Sequence, residues 1–413
     1  MEKGVAFVIL SVLTFHLTKD EMGYVGLFVF TCALMQTFIG LGTDNYARLC
    51  VVKKPSKIKE ILCSIWFILL CSSIFILLLM VLNDKIGVFV FLPSSNYYFL
   101  FLYSFTSTII SLFLCTNQGQ KKVLRYSSIV ILKITLDLII LLLLWSFLSI
   151  NYETRLFSLV CSSIIVCIIS LIYLWREFYT GFKFKNELSQ TSLFIAKALP
   201  NTIIVASILV VDKIIIGNKS TSLLGELTFL TGVASPVVYF CEALNKATLP
   251  YSFEYLKSSQ YTSYDKMNIK NILLFIFVAV VYFLLLKLLS PYIFSENYSD
   301  IINYLPLFLC IPLFKLFYYS FARIFTFHEA LQKLLYINLP IGIIYIYFLH
   351  VNSKLCLFTV IKYILLYQFT LSIIVFFYSS QYFKTNFIKM STYREVLNEL
   401  LNSFNKTTRI FTR

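Results

Sequence analysis

The sequence has few charged residues for its length. Only 13% of its 413 residues are Asp, Glu, Lys or Arg, 59% are hydrophobic, and the mean hydropathy is +0.82. A water-soluble domain carries about 25% charged residues, so this chain lacks the polar surface to cover a soluble globule of its size. These values exclude an ordinary soluble protein and indicate a polytopic membrane protein.

Histidine is scarce, and the cysteines follow no ligand spacing. The three histidines, His16, His328 and His350, lie far apart in the chain. The ten cysteines are scattered, and no C-x-x-C or Cys/His cluster occurs. We interpret the cysteines as small buried apolar residues. The sequence therefore predicts no metal site, no disulfide framework and no cofactor.

Motifs and loops typical of a soluble enzyme are also missing. No P-loop, Rossmann glycine pattern or G-x-S-x-G occurs. The longest predicted outer loop, 83–96, has 14 residues, and the longest inner connection, 245–268, has about 24. Neither is long enough for a catalytic domain. The function must lie in a helix bundle, for which transport and intramembrane enzymology are the leading classes, and we expect transport rather than an enzyme.

Long apolar runs dominate what the sequence does contain. A bilayer span needs about 20 apolar residues, and continuous runs in lipid must be helices because isolated strands leave backbone groups unpaired. The twelve predicted spans are 4–17, 23–42, 61–82, 97–116, 127–150, 156–175, 193–216, 222–244, 269–290, 301–325, 334–350 and 356–380. The first has only 14 residues; we interpret it as a short helix, with a cleaved signal peptide as the alternative.

The distribution of lysine and arginine predicts the orientation. With a cytoplasmic N-terminus, the cytoplasmic segments hold 22 of the 35 basic residues. The outer loops then hold five basic residues, Lys19, Lys85, Arg155, Lys219 and Lys354. We therefore predict cytoplasmic N- and C-termini, with the basic tail 381–413 on the inner membrane surface. The net charge of +15 fits this topology and affinity for membrane lipids, and nucleic acid is not an expected partner.

A weak internal repeat divides the chain into halves. Short polar turns before the second and eighth spans are each followed by a glycine, Gly23 and Gly225, which are 202 residues apart. Transporters are often built from such repeats. The sequence predicts an N-terminal lobe at 1–175, a cytoplasmic linker at 176–192 and a C-terminal lobe at 193–380, with the substrate path between the lobes.

Two stretches resemble a known family. They are FHLTKDEMGYVGLF at 15–28 and ALPNTIIVASILVVDKIIIGNKSTSLLGELTFL at 198–230, with its early proline, DKIIIG and LLGE. Both resemble the polysaccharide-export branch of the MOP superfamily, the O-antigen flippase family Wzx. The resemblance implies an all-α integral membrane protein of about twelve transmembrane helices, in two six-helix lobes with the inverted-V arrangement of MATE-type exporters.

The resemblance also implies a function. The chain would be a flippase that moves a polyprenyl-diphosphate-linked oligosaccharide, an O-antigen or related repeat unit, from the inner to the outer leaflet of a bacterial plasma membrane. Glycan polymerase and assembly enzymes would be partners through the pathway. Two alternatives stay open: a MATE-like exporter of organic cations, and an O-antigen polymerase. Basic residues outnumber acidic ones eight to four within the runs, which disfavours the exporter, and the short outer loops disfavour the polymerase.

Charges within the runs are candidate functional positions, because a charge in lipid is costly. The substrate-path candidates are Lys133, Asp137, Lys197, Lys315 and Arg323. Lys133 and Asp137 are four apart on one helix face, so they either neutralise each other or bind a head group and a proton or cation. Lys315 suits a phosphate as a point charge. Arg323 either contributes to the substrate path with Lys315 or only marks the membrane boundary. Lys197 either receives the head group from the cytoplasm or extends its ammonium group to the membrane surface.

Three further charges are gating candidates. Asp212 and Lys213 are consecutive in the apolar run that contains VVDKIIIG. Consecutive helical residues point about 100° apart, so we expect them to find separate partners. Asp212 is expected to help close the outer side, and Glu226 to compete for the same partners.

Overall fold

The structure, a computed structural model, describes residues 2–53, 55–81, 97–120, 122–178, 185–327, 331–352 and 355–382. These parts of the chain are helical and contain no strand. The α-helices are α1 (Glu2–His16), α2 (Lys19–Gly40), α3 (Thr43–Lys53), α4 (Ile58–Val81), α5 (Tyr97–Gly119), α6 (Val123–Phe147), α7 (Tyr152–Phe178), α8 (Lys185–Lys219), α9 (Thr221–Lys257), α10 (Tyr261–Ile293), α11 (Glu296–Ser299), α12 (Leu305–Phe327), α13 (Leu331–Val351) and α14 (Leu357–Tyr382). Short 3₁₀ turns lie at Pro55–Lys57 and Asp300–Tyr304.

All twelve predicted spans fall on helices. In the described residues, ten helices are long and apolar enough to cross a membrane, and Phe7–His16 is a shorter apolar helix. The span predicted at 193–216 lies within α8, which has 35 residues. The predicted all-α integral membrane fold is confirmed.

Three helices extend well beyond their apolar runs. α8 begins at Lys185, α9 continues to Lys257 and α10 begins at Tyr261. The inner connection predicted at 245–268 is therefore mostly helix, with a turn in which Ser259 has a φ of 57°. Hydropathy marks where a helix leaves lipid, whereas its backbone hydrogen bonds can continue through polar residues.

Helix α3 is absent from the predicted elements. This helix of 11 residues follows a turn in which Leu41 and Gly42 have φ angles of 49° and 74°. Its sequence, TDNYARLCVVK, mixes polar and apolar residues and is half the length of a span, so hydropathy carries no signal for it. It packs against α5, and Asp44 in its first turn accepts a hydrogen bond from Ser111 Oγ at 2.9 Å.

A capping box fixes the start of α2. The Thr18 hydroxyl accepts a hydrogen bond from the Glu21 N–H, and the Glu21 carboxylate accepts one from the Thr18 N–H at 2.9 Å. Both backbone donors are thereby satisfied, which sets where the helix begins.

The chain forms two compact units. One comprises Met1–Gly232 with Leu349–Leu355, and the other comprises Val233–Phe348 with the segment from Cys356 onward. The boundary falls within α9, and the two predicted six-helix lobes stay a prediction. Several predicted features lie outside the described residues: Lys85, Lys354, the linker residues 179–184 and the tail from 383.

Each unit has an apolar core. In the first, α3, α4, α5, α6 and α7 pack around fully buried side chains such as Ile61, Ile65 and Leu112. In the second, α9, α10, α12, α13 and α14 pack around Tyr264 and Phe321. Exposed apolar side chains, such as Leu288 on α10 at 70% exposure, belong on a lipid-facing surface.

Candidate functional site

A cavity of about 310 Å³ with both polar and apolar walls lies between α2, α5 and α6 in the first unit. Its polar lining consists of Gln36 from α2, Tyr103, Ser107 and Ser111 from α5, and Lys133 from α6. Ser107 and Ser111 are four apart, as are Tyr103 and Ser107, so one face of α5 presents all three. We call this space the Lys133 cavity.

Lys133 is the cation of this cavity. Its Nζ lies 5.1 Å from the centre of the Tyr103 ring, a cation–π distance. Among the residues that the structure describes, no carboxylate lies within 4.0 Å of this ammonium group. Its positive charge is therefore available to a ligand in the cavity.

Asp137 does not neutralise Lys133. Its carboxylate instead pairs with the Arg155 guanidinium at 2.6 Å and accepts a hydrogen bond from Ser158 Oγ at 3.0 Å. Asp137 and Arg155 are 7% and 8% exposed. Arg155 lies in the first turn of α7 and not in a loop, and its predicted outer position stays a prediction. The buried Asp137 carboxylate requires such a partner.

The cavity also offers an open hydroxyl. Ser107 is 8% exposed, and its Oγ has no hydrogen-bond partner in the described structure. The neighbouring Gln36 Nε2 donates to the Ser107 carbonyl oxygen at a long 3.4 Å. A cation, an aromatic ring, a hydroxyl and an amide thus line one cavity, which is a set of groups that can bind a sugar or an anion.

Lys315 and Arg323 lie in the second unit and are engaged there. Lys315 Nζ lies 4.0 Å from a carboxylate oxygen of Glu242 and 5.7 Å from the Tyr319 ring centre. The Arg323 guanidinium donates to the Asn245 side-chain oxygen at 2.6 Å. It also donates to Asn245 O, Thr248 Oγ1 and Ser252 Oγ. Arg323 therefore ties α12 to α9, and a role in the substrate path stays a prediction for both residues.

Lys197 lies on α8, but its side chain is outside the described residues. Its predicted contact with a head group has no geometry to support it, and it stays a prediction.

Asp212 and Lys213 pair with each other. Lys213 Nζ lies 2.5 Å from Asp212 Oδ2, and the Lys213 N–H donates to Asp212 Oδ1 at 2.8 Å. The expectation of separate partners is wrong, because the four-carbon lysine stem is long enough to fold back across the 100° between their positions. Lys213 Nζ also lies 5.8 Å from the Phe30 ring centre on α2.

Glu226 has a partner on α2. Its Oε1 lies 2.7 Å from Lys19 Nζ, and beside this pair Thr221 Oγ1 donates to Asp20 Oδ1 at 2.5 Å. Lys219, the last residue of α8, donates to the carbonyl oxygens of Leu349, His350 and Asn352 at 2.6 to 2.8 Å. A lysine placed against the last carbonyls of a helix complements the negative end of its dipole.

Glycines bring the backbones of α2 and α9 together at the same place. A Cβ atom on Gly23 would lie 2.0 Å from the Thr221 carbonyl oxygen, and one on Gly225 would lie 1.8 Å from the Lys19 carbonyl oxygen. No side chain fits in that space. We call this contact, with its two polar ties, the α2–α9 crossing.

Sequence reasoning missed the uncharged members of the Lys133 cavity. Tyr103, Ser107 and Gln36 are ordinary residues in an apolar run, and nothing in their spacing separates them from packing residues. The four-residue interval from Tyr103 to Ser107 is the one signal available, and it is weak.

Solved structures of MATE transporters share this fold. An inward-facing multidrug resistance MATE family transporter of the MOP superfamily aligns with a TM-score of 0.65 at 12% identity, covering 92% of this chain and 93% of that chain. An outward-facing multidrug resistance MATE family transporter of the MOP superfamily aligns with a TM-score of 0.60 at 14% identity, covering 92% of this chain and 93% of that chain. The bent form of the MATE transporter VcmN from Vibrio cholerae gives 0.52 at 12% identity, covering 96% and 95%. These identities establish the fold alone.

A family assignment comes from the sequence itself. The family described as polysaccharide biosynthesis protein matches residues 1–255, while no curated protein matches the chain. This match covers more than half of the 413 residues and both stretches that carry the predicted resemblance. The resemblance is confirmed: the chain belongs to the polysaccharide biosynthesis protein family and is a multi-pass membrane protein with the fold of the MOP superfamily transporters.

Proposed function

We propose that this protein is a flippase for a polyprenyl-diphosphate-linked oligosaccharide, such as an O-antigen or related surface polysaccharide repeat unit. It moves the head group from the inner to the outer leaflet of a bacterial plasma membrane by alternating access, with both termini in the cytoplasm. Membrane lipids surround it, and glycan polymerase and assembly enzymes act before and after it.

The available charge of Lys133 is the observation that carries this proposal. A diphosphate or acidic sugar entering a low-dielectric site needs a positive charge that no protein carboxylate already neutralises. Lys133 supplies that charge, the Tyr103 ring offers a surface for a sugar face, and the Ser107 hydroxyl offers a hydrogen bond.

Export of organic cations is disfavoured by the acidic residues. A cation site needs a carboxylate whose charge is free. The four carboxylates predicted within spans each have a basic neighbour: Asp137 has Arg155, Asp212 has Lys213, Glu226 has Lys19 and Glu242 has Lys315. The first three lie within 2.7 Å of their partners, so their charge is largely compensated.

We propose that the α2–α9 crossing closes the outer side of the protein in this conformation and opens during transport. Lys19 and Thr221 precede their glycines by one turn and belong to the predicted outer turns. The Asp212–Lys213 pair lies about two turns before the end of α8. In this proposal, Asp212, Lys213 and Glu226 hold the outer side shut until the head group has bound.

The test measures which leaflet holds the lipid-linked oligosaccharide in cells lacking this protein. Wild type should restore outer-leaflet substrate, and Lys133→Ala should reduce transfer about tenfold to a hundredfold, as for a lost charge-assisted contact of about 1.5–3 kcal/mol. The matched control is Lys362→Ala, which removes an exposed lysine from another predicted span. Normal leaflet distribution in the deletion strain would overturn the proposal, and organic cation efflux would be assayed next.

A further inference from the structure

Glu242 and Lys315 form an open ion pair in the second unit. Glu242 Oε1 lies 4.0 Å from Lys315 Nζ, and the two side chains are 33% and 32% exposed. That separation is too long for a hydrogen bond, so only the attraction between the charges links the two groups. By contrast, Asp137, Asp212 and Glu226 each lie within 2.7 Å of a basic partner. The Glu242–Lys315 pair is therefore the loosest of these four.

Arg323 differs from Lys315, although both lie on α12. Arg323 is buried, and its guanidinium donates hydrogen bonds to three residues of α9. A ligand would reach this guanidinium only by breaking those hydrogen bonds. About a third of the Lys315 side chain is exposed, so of the two cations Lys315 is the one that a ligand can reach.

The surroundings of Lys315 resemble those of Lys133 in one respect and differ in another. Each ammonium group lies near a tyrosine ring, at 5.7 Å from the centre of Tyr319 and 5.1 Å from that of Tyr103. In the described part of the chain, only Lys315 of these two lysines has a carboxylate within 4.0 Å. Charged side chains in membrane spans face protein or water rather than lipid, so the exposed parts of Glu242 and Lys315 are expected to face water.

A lysine in a low-dielectric site needs an opposite charge while no ligand is bound. A hydrogen-bonded carboxylate would supply that charge, but an incoming anion would have to break its hydrogen bond. Glu242, at 4.0 Å, supplies the charge without occupying a hydrogen-bond position on the ammonium group. The pair thus combines charge compensation with an easily exchanged partner.

We infer that Glu242 is a built-in counter-ion of Lys315, which an anionic group of the substrate displaces when it binds Lys315. This inference rests on the proposed function and deepens it. The anion is a phosphate or a sugar carboxylate of the head group. Glu242 lowers the affinity for that anion, because its negative charge competes for the same ammonium group.

Titration calorimetry on the purified full-length protein in lipid nanodiscs tests this inference, with farnesyl diphosphate as the ligand. Every protein compared, the parent included, carries Lys133→Ala, so that the Lys133 cavity does not contribute to the measured affinity. Glu242→Gln should bind about two- to fivefold more tightly, because it removes the competing charge and keeps the side-chain shape. Lys315→Met should bind more weakly. Glu254→Gln, which changes an exposed carboxylate on the same helix, is the matched control and should bind as the parent does.

The double variant Glu242→Gln with Lys315→Met separates competition from a general effect of charge. If Glu242 competes for Lys315, its removal changes nothing once Lys315 is absent, and the double variant should bind as Lys315→Met does. An equal gain with and without Lys315 would show that Glu242 acts elsewhere and would overturn the inference. An unchanged affinity in a Glu242→Gln protein that melts normally would overturn it as well.

Two further ligands identify the anion, since glucuronate carries a carboxylate and farnesol carries no charge. A gain for farnesyl diphosphate alone assigns a phosphate, a gain for glucuronate alone assigns a sugar carboxylate, and a gain for both assigns a site that accepts either. Tighter binding of farnesol by Glu242→Gln would show that the substitution opens space rather than removing a competing charge, and it would overturn the inference.

The leaflet assay separates this inference from the proposed function. A protein that transfers substrate, but whose affinity for anions does not respond to Glu242→Gln, would leave the flippase proposal standing without the counter-ion. A protein that shows the predicted gain and transfers no substrate would keep the anion site and overturn the flippase proposal.

Discussion

Gly23 and Gly225 occupy reciprocal positions at the crossing of α2 and α9. A Cβ on Gly23 would meet the Thr221 carbonyl and the Gly225 nitrogen, and a Cβ on Gly225 would meet the Lys19 carbonyl and the Gly23 nitrogen. Lys19 and Thr221 are separated by the same 202 residues as the two glycines. Equal spacing and exchanged contacts indicate a local two-fold relation, which supports the internal repeat predicted from the sequence.

Gly23→Ala should destabilise the protein by forcing the two helix backbones apart. The atom that blocks the new methyl group is a carbonyl oxygen at 2.0 Å, which cannot turn away as a side chain can. Overpacking of this kind costs about 1–3 kcal/mol, and the melting temperature of the purified protein should fall. Gly40→Ala is the control on the same helix, because its nearest atom is a threonine methyl group at 3.4 Å. Equal melting of the two variants would contradict the close contact.

A disulfide between Asp20→Cys and Thr221→Cys should stop transport. The native side chains are in hydrogen-bond contact across the α2–α9 crossing, so the two sulfur atoms are within reach of each other. If the crossing opens in each cycle, oxidation blocks substrate transfer and a reductant restores it. Each single cysteine variant is the control under the same oxidant. Full transfer by the oxidised double variant would show that this contact stays closed throughout the cycle.

Asp137→Asn should reduce stability more than a surface substitution does. It leaves the buried Arg155 guanidinium without its carboxylate, a loss of about 3–5 kcal/mol for a buried pair. The double variant Asp137→Leu with Arg155→Leu removes both charges and should recover much of the melting temperature. A stable Asp137→Asn protein that fails to transport would instead assign Asp137 to proton or cation coupling.

Tyr103→Leu should weaken head-group transfer while Tyr103→Phe leaves it nearly intact. The aromatic face beside Lys133 Nζ contributes about 0.5–2 kcal/mol, which corresponds to about a two- to thirtyfold change in affinity. Initial transfer rates at low substrate concentration measure this difference. Equal rates for the leucine and phenylalanine variants would remove the ring from the substrate site.

Sequence reasoning recovered the parts of this protein that depend on hydropathy. All twelve apolar runs are helical because lipid admits few other backbone conformations. It failed where tertiary contacts determine which charged residues pair and which short segments become helices. The partner of Asp137 is 18 residues away across a turn, not four away on the same helix, and α3 has no hydropathy signal.

Side-chain length caused another error. Helix geometry separates Asp212 from Lys213 by 100°, and the lysine stem crosses that angle to form the ion pair. For Lys133, the sequence shows its position in an apolar run. Only the structure shows that no carboxylate of the described residues lies within 4.0 Å of its ammonium group.

Lys219, held by three carbonyl oxygens, has a consequence for the direction of transfer. Lys19 is matched by Glu226 and Arg155 by Asp137, so each described basic residue predicted on the outer side already has its charge compensated. Under the proposed function, an anionic head group that leaves the Lys133 cavity toward that side would meet no free cation among these three residues. In the proposed transport cycle, electrostatic retention by these three residues would be weak on the outer side, which would favour release of the head group over its rebinding.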